Sequence, residues 1–175
     1  QHADPRFYWD WQRRQSTNQS AKFCGTPPLA HIAGLETAIA LLEAEGLPNV
    51  WTRHQRLAGA AHAAVERWAV PGAMRFHARL PETRSASVTA IEVAPGIDPE
   101  ALRTVARERF QVAMAGGLGP LAGRVFRIGH LGDMNEPMIL GALAGIEAAM
   151  TVQKIPFGTD GVAAAVAFLA AQSTR

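Results

Sequence analysis

The sequence has one cysteine, Cys24, in 175 residues. A single thiol excludes an internal disulfide framework and a cysteine-built metal site, and it suits a reducing compartment such as the cytoplasm. Lysine is nearly as scarce, at Lys22 and Lys154 only. Neither sign of charge is in large excess, with 17 basic and 15 acidic residues and a net charge of +2. No basic run interleaved with aromatics occurs, which argues against a nucleic-acid partner. No apolar run approaches the about 20 residues that span a bilayer, so no membrane partner is expected. The six histidines are dispersed and lack the paired helical spacing of a zinc site. A Walker loop would need Gly-Lys-Ser/Thr, which is missing, and no dinucleotide fingerprint fits. The N-terminus, Gln1-His-Ala-Asp-Pro-Arg6, has neither a signal-peptide pattern nor an initiator Met.

Apolar residues make up 48% of the chain, enough for one medium domain or two small ones. The aromatic cluster Phe7-Tyr-Trp-Asp-Trp11 is expected to pack on something, and the polar run after it reads as a loop or frayed helix end. Thr26-Pro27-Pro28 then opens a helix, with proline in the first turn. Leu29, Ile32, Leu35, Ile39 and Leu42 recur at helical spacing before Gly46. A second helix runs from about Asn49 to Val70, with Val50, Leu57, Ala61 and Val65 inward. Residues 73–78 and 86–94 read as strands. Asp98-Pro99 starts a helix that ends near Arg109. Residues 111–115 and 124–129 are expected as short strands around a glycine-rich loop. Asn135-Glu-Pro137 caps a further helix, and Gly158-Thr-Asp160 starts a last one. The order of elements predicts an α/β layer fold, with Gly46-Leu-Pro-Asn49 as a joint between domains.

The most informative stretch is Gly116-Gly-Leu-Gly-Pro120 followed by Val125-Phe-Arg-Ile-Gly129. An arginine inside an apolar strand is costly to bury unless an anion meets it. Arg127 therefore either grips an incoming carboxylate or phosphate through its forked guanidinium or pairs with a buried Asp or Glu. The glycine loop reads as a tight turn between strands. Thr26 reads as a simple N-cap, with phosphate binding at a helix N-terminus as the alternative. His130 follows the Arg127 strand and is expected to line the same pocket. His31, His54 and His62 read as helix-face residues.

Four motifs occur in order: Phe23-Cys-Gly-Thr-Pro-Pro28, Glu45-Gly-Leu-Pro-Asn-Val-Trp51-x-Arg-His54, Gly116-Gly-Leu-Gly-Pro120 and Val125-Phe-Arg-Ile-Gly-His-Leu-Gly132. Together they resemble the C-terminal half of the class V aminotransferases, specifically the alanine–glyoxylate and serine–glyoxylate group. The resemblance implies a fold-type I, pyridoxal 5'-phosphate-dependent enzyme, usually homodimeric. It implies transfer of an amino group from alanine or serine to glyoxylate or pyruvate, so the partners are small amino and keto acids. It assigns residues 1–46 to the tail of the large cofactor-binding domain. Residues 47–175 become the small α/β domain, a mainly antiparallel sheet covered by helices. In the family the arginine of Arg-Ile-Gly binds the substrate carboxylate; here that is Arg127, with Gly117 of the loop beside it. Thr26 becomes a contact to the cofactor phosphate of the neighbouring subunit. Phe23 stands where the family often has tyrosine, so a phenol hydrogen bond to that phosphate is absent.

The cofactor needs a lysine for its Schiff base. Neither Lys22 nor Lys154 lies in the family's lysine motif, which falls upstream of the region matched here. The expectation is therefore the C-terminal portion of a longer enzyme, inactive alone. The alternative is a non-catalytic binding or interaction module of the same ancestry. A third reading is an unrelated α/β domain in which Arg127 is structural.

Overall fold

The computed structural model describes residues 9–15, 17, 18, 22, 23 and 25–172. Phe7, Tyr8 and Cys24 lie outside the described residues. The chain divides into two compact units, 1–47 and 48–175.

In the first unit, α1 (Trp11–Arg14) is followed by α2 (Leu29–Glu45). Trp9 and Trp11 are 71% and 70% exposed, contrary to the packing expected of the aromatic cluster. A single turn of helix offers no face that covers two indoles; the Arg14 guanidinium lies over Trp11, at 5.3 Å. No residue of α2 is buried. Gly46, at φ 82°, ends α2 by donating its N–H to Leu42 O.

The second unit begins within α3 (Leu47–Trp68), which buries Val50, Leu57, Ala61, Val65 and Trp68. The expected strands are found in shorter form as β1 (Met74–Phe76) and β2 (Val88–Val93). Then come α4 (Pro99–Phe110), β3 (Ala115–Gly116), β4 (Val125–Gly129), α5 (Glu136–Val152) and α6 (Gly161–Ala171). Local caps explain the helix starts. The Asp98 side chain accepts from Glu100 N, and Asn135 accepts from Met138 N. The helix α6 is capped from a distance instead. Its flanking Asp160 makes no side-chain cap, and the Glu147 carboxylate from α5 accepts from Val162 N at 2.9 Å and from Trp68 Nε1 at 2.7 Å.

The expected strand over residues 111–115 is corrected to Ala115–Gly116. Gln111 adopts the left-handed conformation at φ 58°, and Val112 N returns to Ala106 O, so this stretch finishes α4 rather than pairing. The four strands form one antiparallel sheet in the order β1-β2-β4-β3. Its core face carries Phe76, Ile91, Phe126 and Ile128 into one cluster with apolar residues of α3, α4, α5 and α6. The architecture is α/β, with helices covering a mainly antiparallel sheet, as expected.

Candidate carboxylate-binding site

Side chains alternate across a strand. In β4, Phe126 and Ile128 enter the core, so Arg127 points to the opposite face of the sheet. Its register partners are Ala90 on β2 and Ala115 on β3. Its strand neighbours thus offer only methyl groups, and Arg127 is half-buried. Arg127 Nε donates to Gly116 O at 2.8 Å, which fixes the plane of the fork. Among the described residues no carboxylate pairs with Arg127. The carboxylate of Glu92, on the same sheet face, is taken by Arg75 (2.6 Å to Nη2) and His77 (2.8 Å to Nδ1). Those hydrogen bonds, from His77 first and then Arg75, hold the Glu92 pKa below its usual value. The structural ion pair weighed as an alternative for Arg127 is therefore absent among the described residues. The remaining N–H groups of the fork can receive a planar anion with two parallel hydrogen bonds.

The glycine-rich loop is a tight connection between β3 and β4. Gly117 N donates to Val125 O at 2.8 Å. A Cβ at Gly117 would sit 1.9 Å from Leu121 O, so the chain passes there at a distance that only glycine permits. The Gly117 N–H is thus committed to the sheet.

His130 does not line the same pocket as Arg127. Continuing the alternation past β4 puts it on the face of Phe126 and Ile128, and it is fully buried. Its Nδ1 lies 3.1 Å from Ala86 O, which only accepts, so Nδ1 carries the proton and Nε2 accepts from the Thr89 hydroxyl at 2.9 Å. Burial is the main cause of its lowered pKa. His62 packs edge-on to His130, with 6.1 Å between ring centroids. Burial first, then His130 and Arg84, push its pKa from 6.5 down to about 4.

Two residues whose role the sequence did not reveal fasten the loop after β4. Arg53 Nη1 donates to Gly132 O at 2.7 Å and to Met134 O at 3.0 Å, and Gly132 N donates to His54 Nε2 at 3.2 Å. Both stand in the motif Trp51-x-Arg-His54, which was a usable signal. Their partners, about 80 residues further along, were not.

In the first unit Thr26 and Phe23 are exposed, Phe23 to 42%. Thr26 is not the N-cap expected for the following helix. The cap is Pro28, with no side-chain cap bond, and α2 starts at Leu29. A residue before proline is steered away from the helical region, which keeps Thr26 and Pro27 outside the helix. Both lysines are exposed, Lys154 at φ 55° in the turn after α5. A Schiff-base lysine needs a desolvated pocket beside its cofactor. Among the described residues neither lysine fits the covalent centre of pyridoxal phosphate. Among the described residues no cluster could hold a metal ion, and no helix is long and apolar enough to cross a membrane. A concavity of about 620 Å³ beside Arg75, Gly96 and Arg124 is not lined by Arg127.

The second unit is thus an antiparallel sheet backed by helices, with Arg127 on the face away from the core and no carboxylate paired with it among the described residues. The family model for class V aminotransferases matches residues 8–123, and the chain belongs to that family. It is 41% identical to the serine–glyoxylate aminotransferase of Methylorubrum extorquens, over 94% of this chain and 40% of that protein. It is 38% identical to the L-aspartate–glyoxylate aminotransferase of Paracoccus denitrificans, over 92% of this chain and 40% of that one. Among solved structures, pyridoxamine–pyruvate aminotransferase from Mesorhizobium loti superposes with a TM-score of 0.77 at 32% identity, covering 85% of this chain and 37% of that chain. The chain spans about 40% of the length of these curated relatives. The fold is that of a portion of a fold-type I aminotransferase.

Proposed function

We propose that this chain is the C-terminal portion of a pyridoxal-phosphate-dependent transaminase that moves an amino group from a small amino acid, alanine or serine, to glyoxylate or pyruvate. Residues 1–46 are the tail of its large domain, residues 47–175 its small domain, and the working form is a homodimer. Arg127 anchors the carboxylate of the amino and keto acids. One observation carries the reading: the Arg127 guanidinium is held at Nε by Gly116 O and meets no carboxylate among the described residues. Burying a cation without a partner is unfavourable, so a substrate carboxylate is the fitting complement. Hydrogen bonds to charged groups contribute about 1.5–3 kcal/mol each, so a two-point clamp can hold a small acid in one orientation.

The relatives' names support the substrate class. Glyoxylate or pyruvate appears in each of them, while serine, aspartate and pyridoxamine vary on the donor side. Thr26 and Phe23 are proposed to approach the cofactor phosphate only in the assembled enzyme. The chemistry of the cofactor is assigned to residues outside this chain, since neither lysine here is suited to it.

The exposure of both lysines also favours the second reading, a non-catalytic acid-binding module of the same ancestry. Two tests separate the readings. The chain incubated with pyridoxal phosphate, serine and glyoxylate is expected to give no turnover; turnover would overturn the partition of the enzyme proposed here. The reading frame encoding the chain is expected to continue upstream through a lysine-bearing segment. A start codon immediately before Gln1 would favour the module.

A further inference from the structure

We propose that Arg103 is a positioning residue for Arg127, acting through the backbone of β3. The inference rests on the reading of Arg127 as a carboxylate anchor. The acceptor that orients Arg127 is the carbonyl of Gly116, and Gly116 belongs to a strand only two residues long. That strand lies at the edge of the sheet, with β4 as its one neighbour. So short an edge is weakly determined by its own ladder, yet the carbonyl must be held to a fraction of an ångström to aim the guanidinium.

Arg103 supplies the brace from the side away from β4. It projects from α4, and its Nε donates to Met114 O at 2.8 Å, one residue before β3. Its Nη1 pairs with the Glu100 carboxylate, which sets the plane of the guanidinium. Glu100 is itself placed by the helix start, where the Asp98 side chain accepts from its N–H. The braced guanidinium then lies against the α-carbon of Gly116. A Cβ built there would stand 2.7 Å from Arg103 Nη1 and 2.8 Å from Glu100 Oε1. Any other residue at 116 would push either the brace or the strand. The two adjacent glycines thus have separate jobs: Gly116 admits the Arg103–Glu100 pair, and Gly117 admits the backbone of Leu121. The path from the cap of α4 to Arg127 runs Asp98, Glu100, Arg103, Met114 O, then along the backbone to Gly116 O and Arg127 Nε; every step but the backbone one is a hydrogen bond or ion pair within the second unit.

The test uses the 175-residue chain with arginine side-chain Nε–H signals followed by NMR, and pyruvate and pyruvamide as paired probes. In Arg103→Ala the Arg127 Nε–H is expected to lose protection from exchange. Pyruvate affinity is expected to fall about tenfold, a loss in keeping with a sub-ångström misplacement. Pyruvamide, which lacks the carboxylate, is expected to be unaffected. Arg103→Lys, which keeps a donor for Met114 O and a charge for Glu100, is expected to restore most of the affinity. A wild-type Arg127 signal and wild-type pyruvate binding in Arg103→Ala would overturn the proposal. If Arg103→Ala does not fold, Arg103→Gln decides by the same two readouts. Arg127→Ala runs in parallel. If it leaves pyruvate binding intact, the anchor reading itself fails; if it abolishes binding while Arg103→Ala matches wild type, only the brace fails.

Discussion

Replacing Glu147 by alanine tests how α3, α5 and α6 are tied together. One carboxylate oxygen, Glu147 Oε1, accepts both the indole N–H of Trp68 and the backbone N–H of Val162. Trp68 is fully buried, so its N–H has no alternative in water. An orphaned buried donor costs about 1–3 kcal/mol. Val162 N belongs to the first turn of α6, where loss of a nearby anion adds about 0.3–1 kcal/mol. The Val162 N–H is partly recovered by solvent, so the sum is about 1–4 kcal/mol. That is a large share of the about 5–15 kcal/mol of a typical domain. Glu147→Gln keeps an acceptor oxygen of the same reach and loses only the charge, so it is expected to cost less than about 1.5 kcal/mol. Urea unfolding followed by far-UV circular dichroism measures both. Glu147→Ala is expected to lower the midpoint by about 0.5 M or more with an unchanged slope. The Trp68 indole N–H resonance should shift in that variant. A midpoint for Glu147→Ala within experimental error of wild type, or equal losses for Ala and Gln, would refute the reasoning.

The tight passage at Gly117 predicts that Gly117→Ala forces Leu121 away and disrupts the Gly117 N to Val125 O bond, costing about 1–3 kcal/mol; thermal unfolding checks this, and a variant as stable as wild type would contradict it. For His62 the folded pKa of about 4 lies below the unfolded 6.5, so the unfolded chain binds more protons between those values. Stability should therefore be fully present above pH 6.5 and decline as pH falls toward 4, by on the order of 2 kcal/mol after allowance for residual solvent contact. His62→Phe should flatten that slope in urea midpoints measured across the range, and an unchanged slope would sink the assignment. Arg53→Ala is expected to free the Gly132–Met134 loop, which faster amide exchange at the Met134 end would register.

The parts of the fold that were legible in the sequence are those set by neighbours in the chain. Asp98 and Asn135 announce helix starts because a cap acts across two or three residues. The buried face of α3 follows from its 3.6-residue spacing. Strand limits were less legible because pairing decides them, and Gln111 turns left-handed to leave α4 rather than entering the sheet. Arg127 stood out as one cation in an apolar run. That its neighbours would be Ala90 and Ala115, and its acceptor Gly116 O, depends on a register that no local pattern encodes. His130 was misjudged by adjacency, although the two-residue alternation already put it on the face opposite Arg127. Gly158-Thr-Asp160 marks where α6 begins, but its first turn is bonded by Glu147 from another helix, which no local pattern encodes.

Calorimetric titration of the chain with pyruvate and with pyruvamide probes the proposed clamping of a carboxylate by Arg127. Pyruvate is expected to bind in preference to pyruvamide. Arg127→Ala is expected to abolish the preference, and Arg127→Lys, a point charge without the fork, to recover only part of it. Equal affinity for acid and amide, or a preference that survives Arg127→Ala, would contradict the account.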